Sequence, residues 1–107
     1  DPSFNWEDHY EAIRLPYTVP ERTSMYTPDL YWPDRKLAIE MKGRFRDSDE
    51  RGKYIHFRDS NPDIGLKFVL QRPGIRIYKT SKTTQEEWLR KHGFEVAFKT
   101  IPQEWLD

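Results

Sequence analysis

The 107-residue chain contains no cysteine. A disulfide framework and a Cys-ligated zinc are therefore both excluded, which fits an intracellular, cytoplasmic protein. No apolar run approaches the span of a bilayer and no signal peptide is visible, so neither a membrane-spanning nor a secreted form is expected. Charge of one sign is missing from two stretches: residues 1–13 carry four acids and no Lys or Arg, and residues 64–85 carry five basic residues and no acid. The whole chain nets to zero. An acid-free basic stretch suits a phosphate backbone, although an ordinary solvated surface has the same composition.

What is present argues for one folded domain over residues 1–107. Aromatic residues make up 15% of the chain, enough to build a core despite 34% charged residues, and this composition argues against disorder. Residues 10–19 read as extended, because Pro16 and Pro20 exclude a helix interior. Residues 25–32 read as a strand, Trp32-Pro33-Asp34-Arg35 as a turn, and residues 37–42 as the next strand, ended by Gly43. Asp47 with Glu50 resembles a capping box opening a helix to about Ser60, stopped by Asn61-Pro62. Residues 66–71 and 75–78 read as strands joined by Arg72-Pro73-Gly74. Thr83 with Glu86 is expected to start a second helix that ends at His92-Gly93, before a last strand at 94–98 and a helical tail at 102–106. The order predicts a central mixed sheet flanked by helices, α/β or α+β in class.

The stretch "TPDLYWPDRKLAIEMKG", residues 27–43, carries the chemistry. Leu37, Ile39 and Met41 alternate with Ala38, Glu40 and Lys42, placing an apolar face against a charged one. Pairing the two strands around residues 33–36 sets Trp32 opposite Leu37, Tyr31 opposite Ala38 and Leu30 opposite Ile39. Continuing that register brings Asp29 opposite Glu40. Two facing carboxylates repel, and a hard divalent cation, Mg²⁺ or Mn²⁺, relieves the repulsion. Lys42 follows on the same face, placed to hold an attacking water or to stabilise charge on a phosphorane-like transition state. The plainer alternative is an exposed hairpin with a solvated charged face, since an Asp followed by Glu-x-Lys arises often in charged chains.

The pattern resembles the PD-(D/E)xK nuclease superfamily and, within it, the endonuclease I family of phage Holliday-junction resolvases, the T7 type. The resemblance spans residues 10–106 and is tightest in "LPYTVP", "YTPDLYWPDRKLAIEMKG", "DSDERGKYIHFRDSNPDI", "KHGFEVAF" and "IPQEWL". It implies a restriction-endonuclease-like fold, Asp29 and Glu40 as metal-binding carboxylates, the main-chain carbonyl of Met41 as a further ligand, and Lys42 as the catalytic lysine. It also implies Mg²⁺ or Mn²⁺ as cofactor, branched double-stranded DNA as partner, and a phage or prophage protein in the cytoplasm of a bacterial host. The family fold is an intertwined homodimer. Here residues 1–19 would pass to a partner chain through a crossover at residues 20–24.

One departure concerns an additional catalytic Glu, which family members carry on a helix upstream of the "LPYTVP" strand. The chain starts at Asp1, downstream of that helix, so truncation or loss of the helix is expected in preference to substitution by Glu7 or Glu11. DNA-contact candidates are Arg44, Arg46, Arg51, Lys53, Lys67, Arg72, Arg76 and Lys79. His9, His56 and His92 are not at metal-ligand spacing, and His92 is expected to cap a helix. Trp88, Phe98 and Trp105 are expected in the core. The leading function is a metal-dependent, structure-selective endonuclease acting on four-way junctions. The alternatives are a sequence-biased nicking or homing endonuclease on the same core and a non-catalytic DNA-binding relative.

Overall fold

The computed structural model describes residues 14–19 and 22–107. Two sheets form. Strands β1 (Leu15–Val19) and β2 (Arg22–Tyr26) pair antiparallel as a two-stranded hairpin. Strands β3 (Leu30–Trp32), β4 (Leu37–Lys42), β5 (Gly65–Leu70) and β6 (Glu95–Phe98) form a mixed sheet in that spatial order. β3 runs antiparallel to β4, whereas β4, β5 and β6 are mutually parallel. Parallel neighbours need crossovers, supplied by helix α1 (Ser48–Ser60) between β4 and β5 and by helix α2 (Gln85–Lys91) between β5 and β6. A short helix α3 (Gln103–Leu106) closes the chain. No helix among the described residues is long and apolar enough to cross a membrane.

The sheet separates two cores. Ala38, Leu66, Phe68 and Leu70 face Tyr54 and Phe57 of α1 and Leu89 of α2, with Phe45 and Phe94 in the same cluster. Leu37, Ile39 and Val69 face the opposite way, with Leu30, Leu106, Trp105 and Ile101. Trp88 and Phe98 pack against the first cluster and Trp105 against the second, so all three residues expected in the core lie against one of the two. Edge-to-face aromatic contacts thread the first cluster, Tyr54 with Phe68 at 4.9 Å and Tyr26 with Phe57 at 4.9 Å between ring centroids.

The local signals operate largely as read. Pro33–Arg35 forms a 3₁₀ turn, and the β3–β4 register is Trp32 to Leu37, Tyr31 to Ala38 and Leu30 to Ile39. The Asp47 side chain accepts the Glu50 N–H and caps α1. Gly93 takes φ 86 just past α2, a conformation costly for any residue with a Cβ, and the Phe94 N–H closes back on the Leu89 carbonyl at 2.9 Å. His92 is the C-cap of α2.

Four expectations need correction. The strand expected over residues 25–32 is two strands in different sheets, broken at residues 27–29 where Pro28 lacks the N–H for a ladder. Residues 75–78 form no strand and make only an isolated bridge, Arg76 to Thr84. The second capping box is Thr84 with Glu87, one residue later than Thr83 with Glu86. Glu50 does not complete a box with Asp47, because its Oε1 accepts the Arg46 N–H instead. Of the expected extended segment, residues 10–13 lie outside the described residues, as do Glu7, Glu11 and two positions of the crossover, residues 20 and 21. The described remainder pairs with β2 of its own chain and lies on α1, where the Thr18 N–H reaches Ser60 Oγ at 2.7 Å and Asn61 Nδ2 reaches the Pro16 carbonyl at 2.8 Å.

Candidate active site

Asp29 and Glu40 meet because β3 and β4 share one register. Asp29 immediately precedes Leu30, which pairs with Ile39 as the last pair of the ladder, and this places its carboxylate close enough for its charge to act on Glu40. Asp29 Oδ2 accepts the Met41 N–H at 2.8 Å, which fixes the carboxylate against β4. In a strand the N–H and C=O of one residue face the same edge, so the Met41 carbonyl faces the Asp29 side.

The charged face of β4 is not solvated. Glu40 is 6% exposed, and both faces of β4 are covered, which rules out the exposed-hairpin alternative. Burial and the neighbouring Asp29 charge push the Glu40 carboxyl from 4.5 up to about 7. The Tyr26 hydroxyl, donating to Glu40 Oε1 at 2.5 Å, and the Lys42 ammonium work in the other direction and do not overcome them. Burial and the same carboxylate raise the Tyr26 hydroxyl well above its ordinary value, so it remains a donor.

Lys42, the last residue of β4, lies 3.7 Å from Glu40 Oε2 and closer still to Glu50 Oε2 of α1. Glu50 is 3% exposed, and its Oε2 also accepts the Tyr54 hydroxyl at 2.8 Å. Burial pushes its carboxyl up, but the Arg46 N–H, Lys42 and Tyr54 outweigh burial and hold it below the usual carboxylate range. Lys53, one turn along α1, sits over the rings of Tyr26 and Tyr54 at 5.1 and 5.0 Å. Desolvation lowers its pKa, and the charges of Glu40 and Glu50 act in opposition. The loop after β4 is clamped by Gln85, which is 1% exposed, accepts the Phe45 N–H at 2.5 Å and donates to the Gly43 carbonyl at 3.3 Å.

Glu50, Tyr26 and Gln85 are therefore the site residues that sequence reading missed. Glu50 was legible only as a helix-start acid. Tyr26 and Gln85 reach the site from β2 and α2, through contacts that no local pattern encodes.

The basic candidates divide. Arg44, Arg76 and Lys79 line one open cavity of about 240 Å³ with Gly74, Ile75 and Tyr78. Arg51 approaches the same rim, donating to the Ile77 carbonyl at 3.3 Å and lying 5.7 Å from the Tyr78 ring centre. Arg46 is exposed beside Asp47, and Arg72 is exposed on the turn. Lys67 belongs elsewhere: paired in register with Ile39, it faces the second core, with an ion pair to Glu95 at 2.7 Å and the Trp105 ring 5.2 Å away.

A buried carboxylate, Glu40, with a second one, Asp29, and a main-chain carbonyl beside it makes an oxygen donor set suited to a hard divalent cation. Among the described residues no group of three or more His, Asp or Glu side chains is arranged to hold a metal. The donors available are thus Asp29, Glu40 and the Met41 carbonyl.

The chain is 40% identical over 93 residues to endodeoxyribonuclease 1 of enterobacteria phage T3, covering 87% of this chain and 60% of the relative. It is 35% identical over 97 residues to endonuclease I of Escherichia phage T7, covering 91% of this chain and 64% of the relative. The chain thus spans less than two thirds of each relative's length. The family model for phage endonuclease I matches residues 4–107, and the chain belongs to that family.

Proposed function

We propose that this chain is the catalytic core of a metal-dependent DNA endonuclease of PD-(D/E)xK type that hydrolyses phosphodiesters in branched DNA, four-way junctions above all. The observation that carries the reading is Asp29, held on the Met41 N–H of β4 with its charge acting on Glu40, and Lys42 next to Glu40 on the same face. Bound at Asp29, Glu40 and the Met41 carbonyl, Mg²⁺ or Mn²⁺ would polarise the phosphate and make hydroxide available near neutral pH. The chain's own residues do the rest. Met41 orients Asp29 through its N–H, and Tyr26 fixes one oxygen of Glu40. Lys42 brings a positive charge to the place where negative charge grows on the phosphate oxygens.

The cavity of Arg44, Arg76 and Lys79 supports a DNA path running past the end of β4. Backbone contacts of this kind release counterions and ignore sequence. Replacing Arg44 and Arg76 together by Ala should weaken junction binding and reduce the slope of log K against log salt by about 2 for each bound protomer. Filter binding between low and physiological salt measures it, and an unchanged slope would leave both residues as plain surface.

Resolving a junction requires two symmetric nicks, so a two-fold homodimer is the assembly proposed. A swapped form would keep the β1–β2 register and take β1 from a partner chain. Incubating the protein and Mg²⁺ with a four-way junction, a linear duplex of matching sequence and single strands tests the reading. Cleavage confined to the junction is expected, with the protein sedimenting as a dimer. Sequence-dependent nicking of the duplex would favour a homing-type enzyme, and binding without cleavage would favour a DNA-binding relative. A monomer near 13 kDa that still cleaves would remove the dimer.

A further inference from the structure

We propose that Glu50 is a positioning residue: from helix α1 it holds the Lys42 ammonium beside Glu40 and so presents the lysine to the reacting phosphate in one orientation. The inference rests on the endonuclease reading above, in which Lys42 acts at the phosphate. A lysine has a long, freely rotating stem and a point charge with no preferred direction. Lys42 is at the end of β4 with its side chain 23% exposed, so the strand alone does not fix its tip. Glu50 supplies the missing constraint, since its Oε2 contacts Lys42 Nζ directly.

Glu50 is itself held on every side. Its backbone N–H is capped by Asp47 Oδ1 at 2.9 Å, its Oε1 accepts the Arg46 N–H at 2.5 Å, and its Oε2 accepts the hydroxyl of the fully buried Tyr54 at 2.8 Å. On the far side of Lys42, the Tyr26 hydroxyl holds Glu40. The result is one connected chain, Tyr26–Glu40–Lys42–Glu50–Tyr54, in which the lysine is the only member with a long flexible stem. An acid in the first turn of a helix is favourable while exposed to water. Turning it inward costs desolvation that a buried ion pair seldom recovers as stability, so the inward placement calls for a use.

The test is a double-mutant cycle in the full-length protein: wild type, Glu50→Gln, Lys42→Ala and the double variant. Single-turnover cleavage of a four-way junction, junction affinity and urea unfolding are measured for each. Gln preserves the shape and can still accept the Arg46 N–H. Glu50→Gln should slow cleavage about 10- to 100-fold, as removing an outer partner of an active-site group typically does, with affinity changed by less than about 2-fold. In the Lys42→Ala background the same change should slow cleavage by less than about 2-fold, because there is no lysine left to position. Equal fold losses in both backgrounds would overturn the proposal, as would wild-type cleavage by Glu50→Gln. Should Glu50→Gln fail to fold, Tyr54→Phe removes one clamp on the carboxylate, and its slowing should likewise vanish without Lys42. A wild type that does not cleave would end the endonuclease reading instead. The unfolding cycle then decides the contact, with additive changes overturning it and coupled changes sustaining it.

Discussion

The Glu40→Gln protein is expected to bind a four-way junction about as tightly as the wild type and to cut it at least about 100-fold more slowly. The substitution keeps the volume of the side chain and an oxygen for the Tyr26 hydroxyl, so the β4 core stays packed. What it removes is one of two negative charges at the place proposed for the cation. Asp29→Asn is the matching case, since its amide oxygen can still accept the Met41 N–H while the charge is gone. Losing a group that organises proton and charge transfer in the transition state typically costs 10²–10⁴ in rate. Binding survives because the basic cavity at Arg44, Arg76 and Lys79 is untouched and a repulsive charge near the phosphates has been removed. Single-turnover kinetics with Mg²⁺ and with Mn²⁺ check the expectation. Full cleavage by either variant would falsify the metal-carboxylate assignment.

The second large effect is on stability. Glu40 is raised from 4.5 to about 7 by burial and by Asp29, so between these values the folded protein binds a proton that the unfolded chain does not. Stability then falls as pH rises through that window and is greatest on its acid side. The span of roughly 2.5 pH units corresponds to about 3 kcal/mol at 1.36 kcal/mol per unit. Measured in EDTA, the stability difference between wild type and Glu40→Gln should therefore shift by about 3 kcal/mol from pH 5 to pH 8, with the variant favoured at pH 8. Using the difference cancels Asp47, Asp63 and Glu87, whose lowered pKa values act below this window in the opposite sense. Adding Mg²⁺ at pH 8 should stabilise the wild type, because a cation that binds only the folded pair offsets their repulsion. It should do little for Asp29→Asn. Urea titrations at the two pH values provide the numbers, and a flat difference would mean that Glu40 ionises as it does in water.

The sequence by itself determined the hairpin that builds the site. The turn at Pro33, the alternation of residues 37–42 and the two-residue period of a strand leave one register, whose last pair, Leu30 to Ile39, brings Asp29 up to β4 beside Glu40 and Met41. The α1 boundaries are equally local, since Asp47 caps one end and Asn61-Pro62 stops the other. Membership of the phage endonuclease I family was legible in the same motifs. Local pattern failed where a residue's role depends on elements distant in the chain. Residues 25–32 read as one strand because β propensity does not report which sheet receives each half. Residues 75–78 carry a strand-like pattern but find only the Arg76 to Thr84 bridge.

Tertiary structure alone decided the electrostatics. Alternation predicted a charged face on β4, yet whether that face meets water depends on α1 packing over it, and α1 buries Glu40 and turns Glu50 toward Lys42. A pKa is set by burial and by charges brought close in space, so a value near 7 for Glu40 could not be read from its neighbours in the chain. The same reason separates Lys67 from the other cations. Sequence places it in the acid-free basic stretch, but its register with Ile39 turns it to the opposite face of the sheet, where Glu95 takes its charge.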